Sequence, residues 1–277
     1  MKSVTKIQIA VIAGSILLVV LLLFANTKLP LKEEAATTDQ HDHANEGVNI
    51  LDFVGTVKAN LPEGEKQEVK KLEAAISVAT DKKSAYEAII NFYDNARQPI
   101  LAAYYMEQAA IASPIDSNWT YAGARYYSAI QFSKATEHPM LYKKAIECFE
   151  KTLSINPKNI DARISLAACY VEGSADPMKG IGMLREIEKT DSNNVNLQLN
   201  FAFFSERSGQ WDKAIARFEK VLKIKPDFIE AFLHIADAYE QKGDKQKAIE
   251  YLEKYKAAVD DVTIKTEVQN YINKLAQ

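Results

Sequence analysis

The residues of this chain able to do chemistry are few: four histidines, two cysteines and a scatter of acids. The densest set is Asp39, His41, Asp42 and His43. Two histidines and two carboxylates could bind a divalent metal only if the backbone fixed their geometry. They lie in residues 28–47, a stretch of alanines, threonines and mixed charges without apolar periodicity, which reads as a solvated flexible linker. His138 and His234 have no evident catalytic neighbours in sequence. No nucleophile–base motif, glycine-rich phosphate loop or His/Cys metal spacing is present, so neither an enzyme nor a cofactor or metal site is expected. A formal charge of −3 argues against a nucleic-acid binder, which needs a basic face to neutralise phosphates.

What positions the remaining residues is a repeat. Val195–Phe228 and Ile229–Val262 match at a period of 34 residues: Gly209 recurs as Gly243, Ala214 as Ala248 and Phe218 as Leu252. Within a copy the apolar residues fall three and four apart (Phe201, Phe204; Ile215, Phe218, Val221, Leu222), which is helical spacing, and a glycine divides the two helices. A hairpin this short cannot bury its apolar face alone, so the copies must stack into a solenoid with nearest-neighbour contacts.

At these residues the sequence resembles the tetratricopeptide repeat family. That family's pattern places a bulky, a large, a small and a tyrosine residue on the first helix, then small, aromatic, small and proline residues around the second. Phe232, Ile235, Ala236 and Tyr239 fill the first-helix slots of the last repeat, and Ala214, Phe218, Val221 and Pro226 the second-helix slots of the one before. Five repeats are read at residues 83–116, 117–159, 160–194, 195–228 and 229–262. Their departures are Ile90 in the small slot of the first, expected to widen a helix contact, Arg163 and Gln198 in bulky slots, and Ser205 in a tyrosine slot. The second-helix slots of repeat two (Ala145, Phe149, Thr152, Pro157) arrive ten residues late. Because Pro139 disfavours helical geometry at His138, the first helix of that repeat is expected to run to about Glu137 and the second to begin near Leu141, leaving a projecting ridge.

Residues 48–82 keep helical spacing without the slots and read as an N-terminal cap or degenerate repeat; residues 263–277, with Ile264, Val268, Tyr271 and Leu275 in one stripe, read as a C-terminal capping helix. The fold class is all-α. The resemblance implies a right-handed superhelical solenoid of about five hairpins. Cys148 and Cys169 fall on adjacent helices of neighbouring repeats; free thiols in apolar slots are the favoured reading, a disulfide the alternative.

Ahead of the solenoid, Ile7–Thr27 carries no charge, and thirteen of its 21 residues are Ile, Leu, Val or Phe. As a helix it is roughly 32 Å long, enough to span a bilayer. Leu23-Phe24-Ala25 makes a poor cleavage site and no cysteine follows, so residues 1–27 read as an uncleaved single-pass anchor rather than a signal peptide. Lys2 and Lys6 place the N-terminus in the cytosol and the repeats on the extracytoplasmic side, which is the periplasm for a Gram-negative inner membrane.

The resemblance implies a binding surface. First helices of such repeats line a concave groove for an extended peptide or a helix of a partner protein. The residues one, five and eight places after each bulky slot share that face, and the expected groove comprises Tyr127, Ile164, Leu199, Phe203, Glu206, Leu233, Asp237 and Glu240. The Lys, Arg and Asn clamp with which some members hold a terminal carboxylate is missing here. An apolar middle with acidic ends suits a partner segment with apolar anchors flanked by Lys or Arg. Self-association of the chain through this groove or the ridge is the alternative.

Overall fold

A computed structural model describes residues 49–277. Asp39, His41, Asp42 and His43, the apolar span Ile7–Thr27 and the linker lie outside the described residues. Among the described residues there are thirteen α-helices and no strand, and no helix is long and apolar enough to cross a membrane.

The helices pair in chain order. After α1 (Ile50–Ala59) and α2 (Glu63–Val78) come the hairpins α3 (Lys82–Asn95)/α4 (Pro99–Ala112), α5 (Asp116–Ala129)/α6 (His138–Ile155), α7 (Ile160–Gly173)/α8 (Pro177–Thr190), α9 (Val195–Arg207)/α10 (Trp211–Ile224) and α11 (Glu230–Gln241)/α12 (Lys245–Ala258), then α13 (Val262–Leu275). From α2 onward each helix packs chiefly on its neighbours in sequence, the nearest-neighbour logic of a solenoid. Local chemistry sets the ends. Asn159 and Asn194 accept from the N–H three residues on (2.9 and 3.1 Å) to cap α7 and α9, and Pro99 and Pro177 occupy first turns, where the missing N–H costs nothing. Gly209 and Gly243 turn the chain between helices at φ +67° and +80°, a region open to glycine at little cost.

The slots hold the core. Tyr93, Tyr126, Phe149, Leu184, Phe218 and Ile235 are fully buried, each large aliphatic or aromatic side chain contributing on the order of 1.5–3 kcal/mol. Gly123 faces the Phe149 ring so closely that a β-carbon would stand 2.8 Å from Cε1. Ile90 is itself buried, within the N-terminal cluster that runs from α1 to α7. Cys148 and Cys169 are free and buried in that same cluster, and burial pushes both thiols well above their ordinary pKa. They fill apolar slots.

The insertion in repeat two differs from its expected form. Helix α5 stops at Ala129, two 3-10 turns follow at Ile130–Phe132 and Ala135–Glu137, and α6 begins at His138, which is itself helical (φ −55°, ψ −46°). Pro139 therefore opens the second helix instead of closing the first. Proline in a first turn removes only an N–H that no carbonyl awaits. Helix α6 has 18 residues where α4, α8, α10 and α12 have 14, so the extra length went to the second helix and no ridge extends α5.

Candidate functional site

The expected groove residues divide into three groups. Ile164 on α7 is 2% exposed and packs with Leu184 and Ile187 of α8 and Leu197 of α9, so it is core and presents nothing to a partner. Leu199 and Leu233 are half-buried against the clusters around Phe218 and Leu252 respectively. Tyr127 on α5 is also half-buried, and its hydroxyl donates to Glu172 Oε2 (2.7 Å). Glu172 accepts from Tyr142 as well (3.2 Å) and pairs with Arg207, so this tyrosine belongs to a polar brace linking repeats two, three and four.

The other four come together. Phe203 on α9 is 36% exposed and meets Phe218 and His234 edge-on, with centroids 5.5 and 5.1 Å away. His234, on α11, lies flat on Phe218 at 4.8 Å with the ring planes 7° apart. Its Nδ1 stands 3.4 Å from Glu206 Oε1, an oxygen that is buried and has no hydrogen-bond partner. Asp237 follows one helical turn on, and burial, with Glu206 and Glu240 adding like charge, holds its carboxyl above the usual range in spite of a hydrogen bond from Gln241. Glu240 accepts from the Tyr271 hydroxyl of α13 at 2.6 Å. The result is one aromatic patch beside three carboxylates, spanning repeats four and five and the last helix.

His234 and Tyr271 are members that spacing alone passes over. His234 falls two places after the bulky slot, between the sampled positions, and only the rotation of α11 against α10 brings it onto Phe218. Tyr271 was legible only as part of the apolar stripe of α13. A patch of this kind offers hydrogen-bond acceptors and an aromatic face; among the described residues no group of three or more His, Cys, Asp or Glu is arranged to hold a metal ion.

The described residues form a stack of helical hairpins with this aromatic and acidic patch on repeats four and five. Residues 205–265 match the model of the tetratricopeptide repeat family. Among solved structures it is similar to a tetratricopeptide repeat protein from Parabacteroides merdae, at 16% identity and a TM-score of 0.53 over 75% of this chain and 78% of that one. It also aligns with PilW, a widely conserved type IV pilus biogenesis factor (18% identity, TM-score 0.49, 71% and 94%). A third alignment is with YrrB, a TPR protein with an unusual peptide-binding site (20% identity, TM-score 0.41, 72% and 97%). No curated protein matches the chain. At these identities the likeness concerns the fold.

Proposed function

We propose that the chain is a membrane-anchored scaffold without catalytic activity, its repeats on the extracytoplasmic side of the cytoplasmic membrane, and that it holds a segment of a partner protein on the face formed by Phe203, Glu206, His234, Asp237 and Glu240. The observation that carries the binding reading is Phe203, a large aromatic left 36% exposed beside a buried, unbonded Glu206 oxygen. An apolar anchor from the partner covers the ring, and a flanking Lys or Arg satisfies the carboxylates. Anchoring rests on the uncharged run Ile7–Thr27 and on Lys2 and Lys6.

A photoreactive phenylalanine analogue at position 203, in intact cells, should crosslink one dominant partner, and Asp237→Lys should abolish the adduct by setting like charges against each other. No adduct, or one indifferent to Asp237→Lys, would rule out this face. Binding should also weaken on acidification. Asp237 attracts a cation only when ionised, so capture is strongest above its raised pKa and falls as pH drops through it. For stability the sign is opposite: a carboxyl with a raised folded pKa binds its proton better when folded, so its penalty on folding is present at higher pH and vanishes below the unfolded value. A reporter active only after export, fused after Gln277, tests the topology; an inactive fusion reverses it.

A further inference from the structure

The tyrosine slots form a ladder between successive second helices. The Tyr126 hydroxyl donates to Glu107 of α4 (2.6 Å), and that of Tyr170 to Glu150 of α6 (3.0 Å). On the other side Lys179 of α8 stands 3.9 Å over the Tyr170 ring, and Lys247 of α12 stands 5.0 Å over that of Tyr239. Tyr170 carries both contacts, its hydroxyl on the acid of the preceding second helix and its ring under the lysine of the helix that follows.

Repeat four breaks the ladder. Ser205 replaces the ring, and its hydroxyl turns back to the Phe201 carbonyl at 2.7 Å. The acid is gone too: Glu150 stands six residues after Lys144, and six after the corresponding Lys179 comes Arg185. Between α8 and α10 a cavity of about 550 Å³ opens over Phe201, Phe204 and Ser205, with Arg185, Lys213 and Arg217 at its walls. Arg217 is fixed there by Glu188 and by Gln198 Oε1 (2.7 Å), its guanidinium 4.5 Å over the Phe201 ring. Arg185 is exposed and makes no ion pair among the described residues. A second cavity of about 600 Å³, carrying Lys220 and Lys223, adjoins the first at Ala216. Together they are lined by five cations (Arg185, Lys213, Arg217, Lys220, Lys223) against the single acid Glu188, in a chain of net charge −3.

We propose that the cavity at Ser205 receives an aromatic side chain of a partner polypeptide whose neighbouring residues are acidic. The partner's ring takes the place that tyrosine fills in the other repeats, against the Phe201 and Phe204 rings, and its carboxylates meet Arg185 and Lys213 and then Lys220 and Lys223. Aromatic rings supply large contact area with preferred edge and offset geometries, and charge complementarity sets register and suppresses wrong partners. A bare polyanion uses the cations but leaves the ring-shaped space empty, so a peptide is the better fit. This site is independent of the acidic face at Phe203, which prefers the opposite charge.

The test is fluorescence anisotropy of the full-length chain with labelled Asp-Glu-Tyr-Asp-Glu, the same peptide with Ala for Tyr, and labelled oligothymidine. The tyrosine peptide should bind about tenfold or more tightly than the alanine peptide. Ser205→Tyr fills the slot from within and should lower its affinity by about as much, with the melting temperature changed little in either direction. Arg185→Glu, at an exposed position, should lower affinity several-fold without changing the fold. No binding of the tyrosine peptide, equal binding of the two peptides, or tighter binding of oligothymidine overturns the proposal. So does unchanged affinity in Arg185→Glu, which decides the matter even if Ser205→Tyr fails to fold.

Discussion

Repeats two and four solve the same packing problem by different means. In repeat two the bulky slot holds Trp119, the small slot is Gly123 pressed on Phe149, and Tyr126 reaches a buried Glu107 that also pairs with Lys144 at 3.0 Å. In repeat four the bulky slot holds Gln198, fully buried yet polar, which donates to the Ser192 carbonyl (2.7 Å) and accepts from Arg217 (2.7 Å). Its tyrosine slot is empty. Interlocked rings fill the first contact; a hydrogen-bonded amide and open space make up the second. The lesson is that a repeat tolerates loss of a bulky slot residue when the polar group that replaces it keeps its partners, and the space released at a second slot becomes available for another molecule.

Three substitutions sharpen that contrast. The largest effect belongs to Gly123→Leu: the added atoms must displace the buried Phe149 ring, and overpacking of this kind costs typically about 1–3 kcal/mol or more. A thermal melt at wild-type temperature would mean that α5 and α6 are not in close contact. Next comes Arg217→Ala, which takes the donor from buried Gln198 Oε1 and the partner from Glu188. Denaturant titration should show a loss of about 1–3 kcal/mol, the usual cost of a buried polar group left unpaired; a smaller loss than that of a surface substitution would show Gln198 to be solvated. Ser205→Tyr should do least, shifting stability by about 1 kcal/mol or less in either direction, because the ring enters existing space. If it destabilises as much as Gly123→Leu, the ladder alignment of repeat four is wrong.

Phe203 sits between these regimes. A fully buried phenylalanine loses about 3–5 kcal/mol on truncation to alanine, but this ring is 36% exposed while touching Phe218 and His234. Phe203→Ala should lower the melting temperature modestly and weaken partner capture by about 2 kcal/mol, roughly thirtyfold. Crosslinking yield set beside the melt separates the two: loss of folding alone makes Phe203 a core residue.

By itself the sequence determined the all-α class, the 34-residue period and the slots, because helical spacing and recurring small and aromatic residues are local properties that any stacked hairpin must satisfy. It also marked Ser205 and Gln198 as departures. Tertiary structure alone decided which departures become cavities and which become buried bonds, since Arg217 and Ser192 reach Gln198 only after α9 and α10 pack. It decided the direction of the insertion as well: Pro139 can close one helix or open another, and the buried Met140 and Leu141 draw α6 backwards to His138. Ile164 and Phe203 stand one and five places after the bulky slots of their first helices, on one expected face, yet the first is sealed by α8 and α9 and the second is left open beside α11. Burial is a property of what packs against a residue, and a single helix's periodicity does not contain its neighbour.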